Sequence, residues 1–272
     1  MDAEGEETSP EHPGHETARG CSDVEPDNAA FSDFKPIPAP DVIQKVQFHE
    51  QPPMWLMFDF MTSEEIDYLL AKAEPKWERA QVHRAVIRDP AKYRSYVGGS
   101  SGKTSDVDTP FTATVGESRT AFMCVLGMPD PIVDRIQARV SAVTGFPPEH
   151  VEALNMARYE PGQYFKEHHD GSFRPVTVFV YLSDLAEDDE GGETVFPYIG
   201  KAIRPRKGMA VMWNNRKPSG EEDELMRHEA QAPTKSIKFG LNCFVNEKPR
   251  QVVYVTKTGE ILGSGPAGRY AA

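Results

Sequence analysis

The sequence predicts a mainly β protein with flanking helices. From Glu152 onward, apolar segments of strand length follow one another, at 152–159, 164–168, 175–182, 194–196, 201–204, 208–213, 224–230 and 236–245. Turn residues separate them: Pro161-Gly162, Gly191-Gly192, Lys207-Gly208, Ser219-Gly220 and Ala232-Pro233. Many short strands with such spacing build a sandwich or a barrel. Helical periodicity is confined to two segments ahead of Glu152.

Taken in order, residues 1–40 hold ten acidic and two basic side chains and almost no aliphatic ones. They cannot bury enough surface to offset ordering entropy, so a disordered acidic tail is expected. Residues 41–150 read as a helical and strand support region. Within it, Met54 to Phe60 reads as a buried strand. Thr62-Ser-Glu-Glu65 is a capping box that opens a helix. Ile66, Leu69, Leu70 and Ala73 give that helix one apolar face. Residues 81–88 look like a strand. Residues 95–118 are rich in Gly, Ser and Thr; a loop that long is either a lid over a site or a passive connection. Asp130-Pro131 is an N-cap followed by Pro at the first helical position. Ile132, Val133, Ile136, Val140 and Val143 then form a stripe that Gly145 ends. Residues 151–247 form the strand-rich core, and 248–272 a C-terminal hairpin and tail.

Composition sets outer bounds. The tail carries −8, which leaves −4 for the rest of a 272-residue chain whose total is −12. No basic footprint for nucleic acid is visible. Cys21, Cys124 and Cys243 are scattered and odd in number, which disfavours a disulfide framework or a zinc site. The first residues lack an apolar signal region, and no run of about 18 apolar residues could span a membrane. A cytoplasmic protein is the expectation.

The chemistry centres on Arg158 to Asp170, RYEPGQYFKEHHD. His168 and Asp170 are two apart, so on an extended strand they share a face. His169 between them points the other way and reads as a spacer. His228 can supply a second imidazole. Two imidazoles and one carboxylate make a facial triad that suits Fe(II) and leaves coordination positions open. Lys238 could pair with a distant carboxylate on a ligand bound there. A buried lysine requires an anionic partner. Alone, each of these residues has an ordinary reading as a core or surface side chain; their ordered spacing argues for the site.

The same motifs carry a resemblance. YEPGQYFKEHHD, GGETVFP (Gly191 to Pro197) and His228…Lys238 resemble the prolyl 4-hydroxylase family of iron- and 2-oxoglutarate-dependent oxygenases. Glu117 to Phe122 (ESRTAF) is similar to that family's Arg-Thr-Ser segment, with Ala121 in place of Ser. The resemblance spans roughly residues 54 to 246. It implies a double-stranded β-helix (jelly-roll) core, with Fe(II) on His168, Asp170 and His228. It implies that Lys238 binds the far carboxylate of 2-oxoglutarate, with Tyr159, Tyr181 and Thr194 lining that pocket. Arg119 would meet the substrate, and Phe239 stands where many relatives have Trp. The implied reaction is hydroxylation of prolyl residues in a peptide or protein, using O2, with ascorbate as reductant. Two alternatives stay open: an oxygenase of the same fold with a non-prolyl target, and a metal-retaining binding module without turnover.

Overall fold

A computed structural model describes residues 42–80, 118–126 and 130–249, together with the backbone of four further strand segments. In chain order the elements are β1 (Lys45–His49), β2 (Met54–Met57), α1 (Ser63–Ala73), β3 (Glu78–Arg79), β4 (Val82–Ala85) and β5 (Phe111–Thr114). Then come β6 (Phe122–Leu126), α2 (Pro131–Thr144), β7 (Leu154–Tyr159), β8 (Phe165–His168), β9 (Val176–Tyr181) and β10 (Thr194–Phe196). The last are β11 (Lys201–Ile203), β12 (Ala210–Asn214), β13 (His228–Ala230), β14 (Lys238–Val245), β15 (Gln251–Val255) and β16 (Ile261–Pro266). An antiparallel sheet of order β1-β2-β12-β9-β14-β7-β6-β3 faces a smaller one of order β11-β10-β13-β8, the two sheets of a jelly-roll core.

Strand alternation sorts the large sheet's side chains between two cores. Val178 and Val180 of β9, Met212 of β12, Met156 of β7 and Leu241 and Cys243 of β14 face one cluster. There they meet Ile66 and Leu69 of α1 and Val133, Ile136 and Val140 of α2. Phe179 and Tyr181 of β9 and Val211 and Trp213 of β12 face the other cluster, with Phe196 of β10 and Ile203 of β11. Every residue of β9 is therefore buried. A strand covered on both faces reads as a continuous apolar run, which explains VTVFVY.

The helices are fixed where the sequence places their caps. Thr62 Oγ1 accepts the Glu65 N–H at 3.2 Å, and Glu65 Oε2 accepts the Thr62 N–H at 3.1 Å. Glu65 also takes a two-pronged bond from Arg139 of α2, 2.8 Å on each arm, so the cap ties the two helices together. Asp130 accepts the N–H groups of Ile132 and Val133. It also receives Lys72 and Tyr68 from α1. Gly145 closes α2 in the left-handed region, φ 79°.

Some expectations are corrected. The strand expected over Met54 to Phe60 stops at Met57, because Asp59 turns the chain with φ 49°. Phe58 and Phe60 stay buried beyond the strand end. The strand expected over 224–230 begins as a 3₁₀ turn, Glu224–Met226, because the Asp223 side chain accepts the Leu225 N–H. Only β13 remains extended. β1 and β6 carry little strand signal in the sequence: β1 is partly exposed on a sheet edge, and β6 carries Cys and Met in place of a branched alternation. Residues 1–40 lie outside the described residues, and so does the loop expected over 95–118, apart from Ser118 and β5 (Phe111–Thr114), which pairs antiparallel with β4. β15 and β16 pair antiparallel. Among the described residues, no helix is long and apolar enough to cross a membrane.

Candidate active site

β8 of the small sheet ends at His168, and β13 begins at His228 directly opposite it in register. Asp170 follows β8 by two residues, just before Gly171 turns the chain at φ 93°. The three side chains bring their ligand atoms within 4.8 Å of one another. His168 Nε2 lies 3.8 Å from Asp170 Oδ1, and His228 Nε2 lies 3.9 Å from Oδ2. Each imidazole is oriented by its own strand: Nδ1 of His168 is 2.9 Å from the Lys166 carbonyl, and Nδ1 of His228 is 3.0 Å from that of Met226. A carbonyl only accepts, so Nδ1 holds the proton and Nε2 presents its lone pair. Phe165 stacks on His168, ring centroids 3.6 Å apart, and Trp213 meets His228 edge-on at 4.8 Å.

The electrostatics favour a metal over protons. Burial pushes the His168 imidazole down to about 3, His228 pushes the same way, and Asp170 opposes them. Burial likewise lowers His228. For Asp170, burial alone would favour the neutral acid. His228, His168 and the Thr177 hydroxyl outweigh it and keep the carboxyl below its ordinary value. Two neutral imidazoles and an ionised carboxylate, all aimed at one point, are the hard-to-borderline donor set that divalent iron takes.

On the inner face of β14, Lys238 has no exposed surface. Its register neighbour on β7 is Tyr159, and its ammonium lies 5.5 Å from that ring's centroid. Its hydrogen-bond acceptor is the Glu193 carbonyl, a long contact of 3.4 Å. Burial pushes the amine down to about 7, with the Glu193 charge opposing. Among the described residues, two further buried groups nearby, Tyr181 Oη and Thr194 Oγ1, find no hydrogen-bond partner beyond a weak interaction with each other. Buried polar atoms are nearly always paired, so three under-used donors in one place fit an acceptor-rich anion. The residues present thus fit both Fe(II) and a dicarboxylate such as 2-oxoglutarate. Gly240 keeps this region shaped: a Cβ there would stand 2.2 Å from the Phe179 ring.

A cavity of about 40 Å³ joins the triad to Tyr159, Thr194 and Arg119. Lys238 and Tyr181 lie just behind its walls: Lys238 pairs in register with Tyr159, and Tyr181 meets Phe179 edge-on, both of them wall residues. Arg119 spreads its guanidinium over Phe165 at 4.4 Å, and its buried Nε has no partner among the described residues. A cleft of about 1020 Å³ elsewhere, flanked by Pro52, Phe146 and Lys217, contains none of these residues. His169, read as a spacer, accepts the Gly171 N–H on Nδ1 and so shapes the turn behind Asp170. Sequence reasoning missed Asp189, whose buried carboxylate accepts the N–H groups of Thr234, Lys235 and Ser236 and the Thr234 hydroxyl. It missed Thr177 as well, although the parity of β9 places Thr177 on the same face as Tyr181.

A jelly roll with two histidines and an aspartate at its inner face defines a class of non-haem metal proteins. Residues 154–246 match the family model of the 2OG-Fe(II) oxygenase superfamily. Probable prolyl 4-hydroxylase 11 of Arabidopsis thaliana is 33% identical over 174 residues, covering 61% of this chain and 55% of the relative. Prolyl 4-hydroxylase subunit alpha-1 of Gallus gallus is 30% identical over 216 residues, covering 74% and 37%. The chain thus spans between about a third and a little over half of these relatives. Among solved structures, the viral collagen prolyl hydroxylase of Paramecium Bursaria Chlorella virus-1, in its 2OG complex, superposes with a TM-score of 0.51. Its identity is 22%, and the match covers 71% of this chain and 94% of that one. A Trichoplax adhaerens prolyl hydroxylase bound to a hypoxia inducible factor peptide gives 0.51 at 13% identity, covering 73% and 85%. Both likenesses concern the fold.

Proposed function

We propose that this chain is an Fe(II)- and 2-oxoglutarate-dependent dioxygenase that hydroxylates prolyl residues in a peptide or protein. The observation that carries the reading is the pairing of the triad with a fully buried lysine beside under-used hydroxyls. His168, His228 and Asp170 hold the metal through Nε2, Nε2 and one carboxylate. Lys238 binds the far carboxylate of 2-oxoglutarate, with Tyr181 and Thr194 as hydroxyl donors and Tyr159 as a wall. Bound together, Fe(II) and 2-oxoglutarate supply oxygen activation and oxidative C–H chemistry; the chain's part is to hold, orient and keep dry. Phe196 and Trp213, both buried against His228, exclude water from one side of the metal. Arg119, stacked beside the His168 wall, is the residue assigned to the substrate.

The prolyl target is supported by relatives named for prolyl hydroxylation, and ascorbate as reductant belongs to the same reading. So do a core at 151–247 supported by 41–150, and a cytoplasmic setting in which the buried Cys124 and Cys243 stay free thiols. The test is incubation with proline-rich peptides, Fe(II), O2 and 2-oxoglutarate. The expected result is a mass gain of one oxygen atom on proline with matched succinate release. Oxygen on another residue type would favour the non-prolyl reading. Metal binding with no 2-oxoglutarate consumption would favour the binding module.

A further inference from the structure

Behind the carboxylate of Asp170 runs a line of buried polar groups that the proposed reaction leaves unused. Thr177 Oγ1 is 2.7 Å from Asp170 Oδ2. Asn215 Nδ2 is 2.8 Å from Thr177 Oγ1 and 2.8 Å from the Arg174 carbonyl. Trp213 Nε1 is 2.8 Å from Asn215 Oδ1. Thr177 and Asn215 have no exposed surface, and Trp213 is 1% exposed.

Elementary donor and acceptor rules fix the direction of every bond in this line. An indole N–H only donates, so it must meet the amide oxygen of Asn215. A backbone carbonyl only accepts, so the Arg174 oxygen must meet the amide nitrogen. The second N–H of that nitrogen therefore goes to Thr177. An ionised carboxylate only accepts, so the Thr177 hydroxyl spends its single proton on Asp170 Oδ2. No member can reverse without stranding a buried donor or acceptor, at the cost such groups carry.

We infer that Thr177, Asn215 and Trp213 form a one-way donor chain that positions Asp170, committing Oδ2 to a hydroxyl and leaving Oδ1 as the ligating oxygen. A carboxylate with both oxygens free can grip a cation with both and fill two coordination positions. With one oxygen committed it offers a single bond, and the positions needed for a cosubstrate and O2 stay open. Trp213 serves twice, since the same indole that heads the chain packs edge-on against His228. These are positioning residues, and the inference rests on the metal reading proposed above.

The test uses the full-length chain without 2-oxoglutarate, under argon, titrated with Mn(II) and with Co(II). Affinity is one readout, and the visible absorption of bound Co(II), which follows coordination number, is the other. Thr177→Val keeps the shape and removes the hydroxyl. It is expected to weaken both metals by about tenfold to a hundredfold and to alter the Co(II) spectrum. Thr177→Ser keeps the hydroxyl and is expected to bind as wild type does, whereas Thr177→Ala follows Val. Ser and Ala lose the same methyl group and differ by one oxygen atom, so their comparison stands even if the Val variant does not fold. The chain is overturned if Thr177→Val and Thr177→Ala match wild type in affinity and spectrum. It is equally overturned if a folded Thr177→Ser binds as poorly as Ala. Failure of wild type to bind either metal would overturn the metal reading itself. If wild type binds and His168→Ala does not, that reading stands and the Thr177 result bears on the donor chain alone.

Discussion

At the scale of the residue, Lys238 separates cosubstrate binding from metal binding. Removing one partner of a buried charged pair strands the other and costs on the order of 3–5 kcal/mol. Lys238→Ala is therefore expected to raise the 2-oxoglutarate requirement by a hundredfold or more, on the order of that energy, while Fe(II) affinity stays near wild type. Separate titrations of the two ligands check this; an unchanged 2-oxoglutarate dependence would move the counter-charge elsewhere, with Arg119 the first candidate. The same residue predicts a pH effect. Its folded value of about 7 lies below the ordinary 10.5, because burial disfavours the ammonium. Between those two values the unfolded chain holds a proton that the folded chain has released. Stability of the ligand-free protein should then rise with pH across that window, by at most about 1.4 kcal/mol per pH unit from this group. Lys238→Met should flatten the slope in denaturant titrations at pH 7 to 10. Equal slopes in the two proteins would show that the lysine is not desolvated.

At the scale of the element, legibility followed chemistry that is local in sequence. The caps of α1 and α2 were readable because Thr62, Glu65, Asp130 and Gly145 each act within a few residues. The His168–Asp170 pair was readable because strand parity is local. Asp189 was not: its four donors lie at Thr234, Lys235 and Ser236, more than forty residues away, and no period links them. Yet it anchors the turn that delivers β14 and Lys238. Several hydrogen bonds from the turn hold its carboxyl well below the carboxylate range against the opposing effect of burial. Asp189→Ala would leave those donors without an acceptor and should cost on the order of 3 kcal/mol, as lost bonds to a charged group do. Chemical denaturation measures the cost. 2-Oxoglutarate binding should weaken alongside it, and a variant of wild-type stability would mean that the turn holds without its carboxylate.

At the scale of the molecule, one sheet serves two cores, the helical one for support and the inner one for the site. The sandwich-or-barrel expectation came from strand count and turn spacing, but the order β1-β2-β12-β9-β14-β7-β6-β3 could not, since non-local pairing leaves no trace in a single sequence. Residues 1–40 add charge and almost no aliphatic surface, so deleting them is expected to leave the melting temperature and 2-oxoglutarate consumption unchanged. A fall in melting temperature on truncation would show that they pack on the domain.

His168 and His228 face each other across neighbouring strands, and among the described residues β8 is held on its far side by the short segment 118–120: a bridge between Arg119 and Phe165, and the Lys166 N–H donating to the Ser118 carbonyl. An ion gripped by both imidazoles is therefore also a rivet through the seam between two strands. Release of the ion and unzipping of that seam become one linked event, each opposing the other by the same free energy. Amides of residues 165–168 and 228–230 should exchange with solvent more slowly once Mn(II) is added, and the ion should escape no faster than the seam frays. The protein would then keep its iron by the same bonds that keep its edge closed.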